Sequence, residues 1–304
     1  MATILLCAAI IPVIFLCLFI YLKDPHKEPK GLLALIFFMG FVSIIPILIG
    51  ELVFAAIFPL EAVVPYGLIP IFLNTFFGVA LFEEGFKWLI TMFFGYKNEA
   101  FDEVYDIIVY AVFASLGFAC FENIGYVLQS GLGTAFTRAL VSIPGHTCFA
   151  ITMGYFFSKA KIGQLSGNKK IYTKNMILSI LVPMVIHSAY DAFLFNASYG
   201  TVTVAIASLV PFFILFLIMV VICFIVVQKT ANIQQNLSTN LQSGNIVRND
   251  QGILYYNYQN NISNDGNSDS APSVPSGREI VYCPICGKYV RGSNFCGRCG
   301  FKVK

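Results

Sequence analysis

Seven times before residue 228 the sequence runs for more than twenty residues with few charged side chains: over 2–22, 31–57, 67–94, 104–128, 134–158, 174–195 and 202–227. About 20 residues, rising about 1.5 Å each, cross a hydrocarbon core about 30 Å thick, so the pattern predicts seven membrane-spanning helices. Composition agrees. Of 304 residues, 57% are hydrophobic and 12% charged, whereas soluble domains run at about 45–50% and about 25%. A soluble globular enzyme is thereby excluded. The first run has no basic residue before it and is longer than the apolar part of a signal peptide, so it reads as a retained helix. Pro46, Pro144, Pro183 and Pro211 fall inside four of the runs and predict kinked or partly broken helices, tolerable where neighbouring helices re-satisfy the backbone.

Loop charges predict the orientation, because Lys and Arg are retained on the cytoplasmic side. Lys23, Lys27 and Lys30, then Lys97, then Lys159, Lys161, Lys169, Lys170 and Lys174 occupy the odd-numbered connections, and Lys229 follows the last run; the even-numbered connections carry none, with Arg138 just inside the fifth run. The expected protein is a multi-pass protein of the cell membrane, its amino terminus outside and its tail cytoplasmic.

Residues 1–228 form the expected membrane core, and the composition changes beyond them. Ten Asn fall between Asn232 and Asn267, with many Ser, Gln and Gly. Such a segment buries too little apolar area to offset ordering entropy, which predicts a flexible linker over 229–279. Residues 280–304 hold Cys283-Pro-Ile-Cys286-Gly and Cys296-Gly-Arg-Cys299-Gly, two CxxC turns nine residues apart. Four thiolates at that spacing, on the reducing side, suit structural zinc better than two disulfides. The segment resembles the zinc ribbons appended to many bacterial membrane proteins. A tail that recruits a partner protein or senses conditions is expected rather than a nucleic-acid site, since four thiolates and one zinc contribute about −2 and offset much of the local basic charge. The other five cysteines are scattered through the helices and read as small apolar residues.

Catalytic candidates are the ionisable groups inside the membrane, each costing about 2.5–3.5 kcal/mol on insertion scales: Glu51, Glu83, Glu84, Lys87, Glu122, His146, His187 and Asp191. Helix rise places Glu83 and Glu84 about 25 Å along their helix, Glu122 about 27 Å along the next, and His146 and His187 about 18–20 Å from the ends of theirs. Four helices thus bring polar groups to one layer. Lys87 lies within i+3 and i+4 of both glutamates and can pair with either. The glutamates themselves are about 100° apart and so have different roles. His187 and Asp191 share a face, as a carboxylate orienting an imidazole requires. His146 lies over Ala150 and Gly154, while Gly117 and Gly125 flank Glu122; both arrangements favour close helix approach. The set suits an activated water, with Glu83 or Glu84 as general base and the rest binding a metal or stabilising an oxyanion. A purely structural polar network is the competing reading.

There is no HExxH and no serine in a GxSG setting. Tyr190-Asp191 matches half of an aspartyl intramembrane protease, but Gly131-Leu132-Gly133 is followed by Thr134. Four motifs do fit a known pattern: Glu83-Glu84-Gly85-Phe86-Lys87, Phe118-Ala119-Cys120-Phe121-Glu122-Asn123, Pro144-Gly145-His146, and His187-Ser188-Ala189-Tyr190-Asp191. In this order on successive helices they resemble the PrsW family of intramembrane proteases, within the CAAX prenyl protease superfamily. The resemblance covers most of 1–228. It implies peptide-bond hydrolysis in membrane proteins, the family's best-known role being the first cut in an anti-sigma factor. By that likeness Glu83, Glu84, Glu122, His146, His187 and Asp191 are catalytic, with Lys87 and Asn123 supporting. A catalytic metal, held by Glu122, His146 and His187, stays open, since related glutamate proteases activate water without one. A proton-linked transporter or sensor, which would tend to show inverted repeats absent here, and an inert anchor for the ribbon are the alternatives.

Overall fold

The computed structural model describes residues 1–101, 103–165, 168–242, 246–248, 254–256, 281–282 and 289–290. Among these described residues are seven long apolar helices: α1 (Ala2–Lys23), α2 (Lys30–Ile57), α3 (Leu68–Tyr96), α4 (Asp106–Ser130), α5 (Leu132–Gln164), α6 (Lys169–Tyr199) and α7 (Val202–Asn232). The protein is an all-α, multi-pass membrane protein. Its outward faces carry Phe15, Leu22, Leu52, Ile206 and Leu217, each more than half exposed, as a surface solvated by lipid requires.

The helices outrun the apolar stretches at several ends. Helix continues through Lys159 and Lys161 and resumes at Lys169, so most of the expected fifth connection is helical. Beyond the α7 span the helix continues to Gln242, into the segment expected to be linker. Pro46 cannot donate to the carbonyl four residues back. The break in α2 falls at Ser43, between Lys30–Val42 and Ile44–Ile57, where the Ser43 hydroxyl donates to Gly40 O at 2.6 Å. Pro144 follows a π-turn at Arg138–Ser142. Helix runs on through Pro183 and Pro211, and also through Pro12 in α1. Another π-turn, Phe76–Ala80, precedes Glu83 and Glu84; such turns re-aim the residues that follow and occur often at functional sites.

Helix α4 is the axis of the membrane core. In its most apolar stretch 78% of the residues are buried, against 22% in α1 and α7. Glycine permits the contacts on two of its sides. A Cβ on Gly117 would lie 2.0 Å from Phe37 O, and one on Gly40 would lie 2.0 Å from Ala114 O, so α2 and α4 meet backbone to backbone. On the other side Gly154 of α5 sits against Ile108, where a Cβ would come within 2.7 Å of its Cα. Gly125 makes no such contact; a Cβ there would meet nothing within 4 Å, because that turn of α4 faces outward.

Contacts divide the chain into two compact units: Met1–Ser158 with Asn175–Gln228, and Lys159–Lys174 with Lys229–Lys304. Within the second, β1 (Ile246–Arg248) pairs antiparallel with β2 (Leu254–Tyr256), and β3 (Val281–Tyr282) with β4 (Tyr289–Val290). Cys283, Cys286, Cys296 and Cys299 lie outside the described residues. Cys7, Cys17, Cys120, Cys148 and Cys223 are free thiols, all but Cys7 buried.

Candidate active site

Glu83, Glu84 and Lys87 belong to the first turns of regular helix after the Phe76–Ala80 π-turn. All three are buried, Glu84 and Lys87 completely. The Lys87 ammonium donates to Glu83 Oε2 at 2.8 Å and to Glu84 Oε1 at 2.9 Å. One cation thus serves both carboxylates, which offsets part of the cost of holding them away from water. Its charge also lies 4.3 Å from the centre of the Phe118 ring, a cation–π contact. The Phe of the second motif therefore floors the lysine, and it meets the His146 ring edge-on at 5.8 Å.

From Lys87 the network runs two ways. Toward α5, Lys87 Nζ lies 3.3 Å from His146 Nδ1, and His146 Nε2 lies 3.1 Å from Glu122 Oε2. An ammonium only donates, so Nδ1 accepts; the carboxylate only accepts, so Nε2 carries the hydrogen. Toward α6, His187 Nδ1 lies 3.0 Å from Glu84 Oε1, and its Nε2 lies 3.3 Å from Asp191 Oδ2. With Nδ1 donating to Glu84, the Nε2–Asp191 contact needs one more proton, shared between ring and carboxylate. Phe149 stacks on His187 with centroids 4.6 Å apart, and Thr75 of α3 donates to Ser188 O at 3.1 Å, which fixes this turn of α6 beside the glutamates.

These groups border a cavity of about 490 Å³ lined by Glu51, Glu83, Glu122, Arg138, His146, His187 and Asp191. Glu84 and Lys87 stand behind the wall. The two adjacent glutamates therefore divide as their angular separation predicts: Glu83 faces the space and Glu84 is sealed between Lys87 and His187. All six residues expected to be catalytic meet in one network. Asn123, expected as support, donates to Ala9 O of α1 at 2.7 Å and accepts from Arg138 Nε at 2.8 Å.

Arg138 is the participant that sequence reasoning assigned elsewhere, as a basic residue near one face of the membrane. Its Nη2 donates to Glu122 Oε2 at 2.6 Å. The available signal was its position as the one basic residue within the apolar part of its run. Glu51, recognised as intramembrane but given no role, also lines the cavity, with Oε1 buried and lacking a hydrogen-bond partner among the described residues.

Among the described residues, the donors that converge closely enough for a metal are Glu83, Glu84 and His146, whose ligand atoms lie within 4.8 Å of one another. This differs from the expected set of Glu122, His146 and His187, because Glu122 meets the Nε2 edge of the His146 ring while Lys87 and Glu83 lie on its Nδ1 edge. Two carboxylates and an imidazole suit a divalent cation, and Glu84 Oε2 is buried and unclaimed. The Lys87 ammonium bonds to the same triad, so a bound cation would compete with it. Four carboxylates (Glu83, Glu84, Glu122, Asp191) face two cations (Lys87, Arg138), leaving an excess of negative charge that further favours a proton or a metal.

A family model described as PrsW family intramembrane metalloprotease matches residues 28–227. The chain is 38% identical over 211 residues to a protein named Protease PrsW from Oceanobacillus iheyensis, covering 69% of this chain and 90% of that one. Proteins of the same name from Geobacillus kaustophilus and Bacillus subtilis are each 36% identical, over 188 and 185 residues. These alignments span 62% and 60% of this chain and 78% and 79% of theirs. No solved structure matches the chain.

Proposed function

We propose that this chain, a membrane protease that belongs to the PrsW family of intramembrane metalloproteases, hydrolyses peptide bonds of membrane proteins with Glu83 as general base and the His187–Asp191 pair as general acid. The observation that carries this reading is the division of the glutamates across the cavity wall. Glu83 lines the cavity with one oxygen fixed by Lys87, so its other oxygen is available to a water beside a bound peptide. Glu84 makes no such approach; it holds Lys87 and His187 in place.

In this mechanism Glu83 takes a proton from water as the water oxygen bonds to the peptide carbonyl carbon. When the carbon–nitrogen bond breaks, the leaving nitrogen takes the proton shared by His187 Nε2 and Asp191. The proton on Glu83 then restores that pair. General acid–base steps of this kind contribute about 10²–10⁴-fold each. Glu83, Glu84 and His146 would hold a divalent cation, which when bound supplies Lewis-acid polarisation and a more acidic water. Metal content separates the two forms of the mechanism: full-length protein should carry one more metal ion per chain than its Glu84→Gln variant if the triad binds a cation.

The resemblance to the PrsW family makes an anti-sigma factor the first substrate class to try. The lysine distribution supports an amino terminus outside the cell membrane and a cytoplasmic tail. In that tail the β3–β4 pair brackets Cys283 and Cys286 in sequence, which supports 280–304 as a four-thiolate zinc ribbon joined to the 1–228 core by the 229–279 linker. Its role is to bind a partner protein. The direct test is cleavage of a membrane-protein reporter in vesicles by wild-type protein and by Glu83→Gln. Cleavage by the wild type alone supports the reading, and equal cleavage by both overturns it.

A further inference from the structure

The open end of the polar network is held by a residue outside the four motifs. Arg138 lies at the start of the Arg138–Ser142 π-turn, and its side chain is 13% exposed at the cavity wall. Two of its nitrogens bond to consecutive residues of α4: Nη2 to Glu122 Oε2 at 2.6 Å and Nε to Asn123 Oδ1 at 2.8 Å. Consecutive residues on a helix point about 100° apart, so one planar fork fixes the rotation of α4 at this level as well as one carboxylate. Asn123 is in turn tied to Ala9 O, and the Tyr126 ring lies 4.4 Å from Arg138 Cζ. Lysine, a single point charge, cannot make this pair of bonds in one geometry.

The oxygen that Arg138 holds is the one that His146 needs. Glu122 Oε2 accepts from Arg138 and lies 3.1 Å from His146 Nε2. Glu122 is 18% exposed and Glu84 fully buried, so packing fixes Glu84 while Glu122 depends on its partners. We propose that Arg138 is a positioning residue for peptide hydrolysis. It clamps Glu122, which holds the His146 ring in register with Lys87 and Glu83. The inference rests on the protease reading above and assigns Arg138 no contact with substrate.

The test uses the full chain in vesicles, with the reporter that wild type cleaves and Glu83→Gln does not. Arg138→Ala, Arg138→Gln and Arg138→Lys should each lower kcat about 10- to 100-fold, the scale of a 1 Å misplacement, with KM within about twofold. Lysine should give no rescue, because it restores charge without the fork. Added guanidinium should recover several-fold activity in Arg138→Ala and none in Glu83→Gln. Glu122→Gln combined with Arg138→Ala should cost no more than the worse single change. If Arg138→Ala does not fold, Arg138→Lys decides by the same kcat criterion. Wild-type turnover in Arg138→Lys and Arg138→Gln, a change in KM alone, or additive losses would overturn the clamp while leaving the protease reading intact. A wild-type chain that cleaves nothing overturns both.

Discussion

The molecule gathers carboxylates in two places and gives them different partners. In the cavity network Glu83, Glu84, Glu122 and Asp191 each meet an ammonium, a guanidinium or an imidazole. The second group lies near the ends of α1, α2 and α4, where Asp24, Glu28 and Asp106 are also buried. There neutral groups are among the donors: the Tyr110 hydroxyl donates to Glu28, the Glu103 N–H to Asp106 at 2.7 Å, and the His26 N–H to Asp24 at 3.1 Å. The nearby Lys27 ammonium donates instead to the carbonyls of Tyr21, Leu22 and Asp24. Burial accordingly pushes the Asp24 carboxyl up from its usual range to about 6. In the cavity network two fixed cations, Lys87 and Arg138, and two imidazoles serve four carboxylates, which offsets part of the cost of holding them inside the membrane. At the helix ends the carboxyls accept hydrogen bonds from a hydroxyl and from backbone N–H groups.

The largest break in this contrast is functional. Glu83→Gln should lower kcat about 10²–10⁴-fold, the usual scale for a general base, with a melting temperature close to wild type; Asp24→Asn should leave cleavage unchanged. A reporter assay with parallel thermal melts checks both. Next comes stability. Lys87→Met strands two buried carboxylates and should destabilise the fold by about 3–5 kcal/mol. Lys27→Met should change it by less than about 1 kcal/mol, as expected for partly exposed contacts. Unfolding in detergent measures the pair, and equal losses would erase the distinction between the clusters.

The smallest effect is a pH dependence. A carboxyl raised in the fold adds stability that is complete below its unfolded pKa near 3.8 and is lost as pH rises through about 6. Asp24→Asn should therefore flatten the melting profile between pH 4 and 7, and should melt above wild type beyond pH 6. An unchanged profile would place the charge elsewhere.

Much of the membrane core was legible because lipid imposes simple arithmetic. Apolar length set the seven helices, and helix rise brought Glu83, Glu122, His146 and His187 to one depth. Spacing also turned Glu83 and Glu84 to different sides of their helix and paired His187 with Asp191. It could not choose partners between helices. That Lys87 would reach His146, that Arg138 would turn inward onto Glu122, and that the convergent metal donors would be Glu83, Glu84 and His146 all depend on rotamers and π-turns that no periodicity encodes. The small-residue rule held at Gly117 and Gly154, where a helix faces them, and not at Gly125, where none does. Pro46 signalled an interruption, but the break settled at Ser43, whose hydroxyl could bond the carbonyl of Gly40.

Quantitative proteomics of membrane-protein fragments, in cells carrying wild-type chain or its Glu83→Gln variant, tests the proposed hydrolysis most directly. The expected result is a set of paired fragments with new termini within or beside apolar segments, present with the wild type and absent with Glu83→Gln. The same fragments at the same abundance in both cells would contradict it.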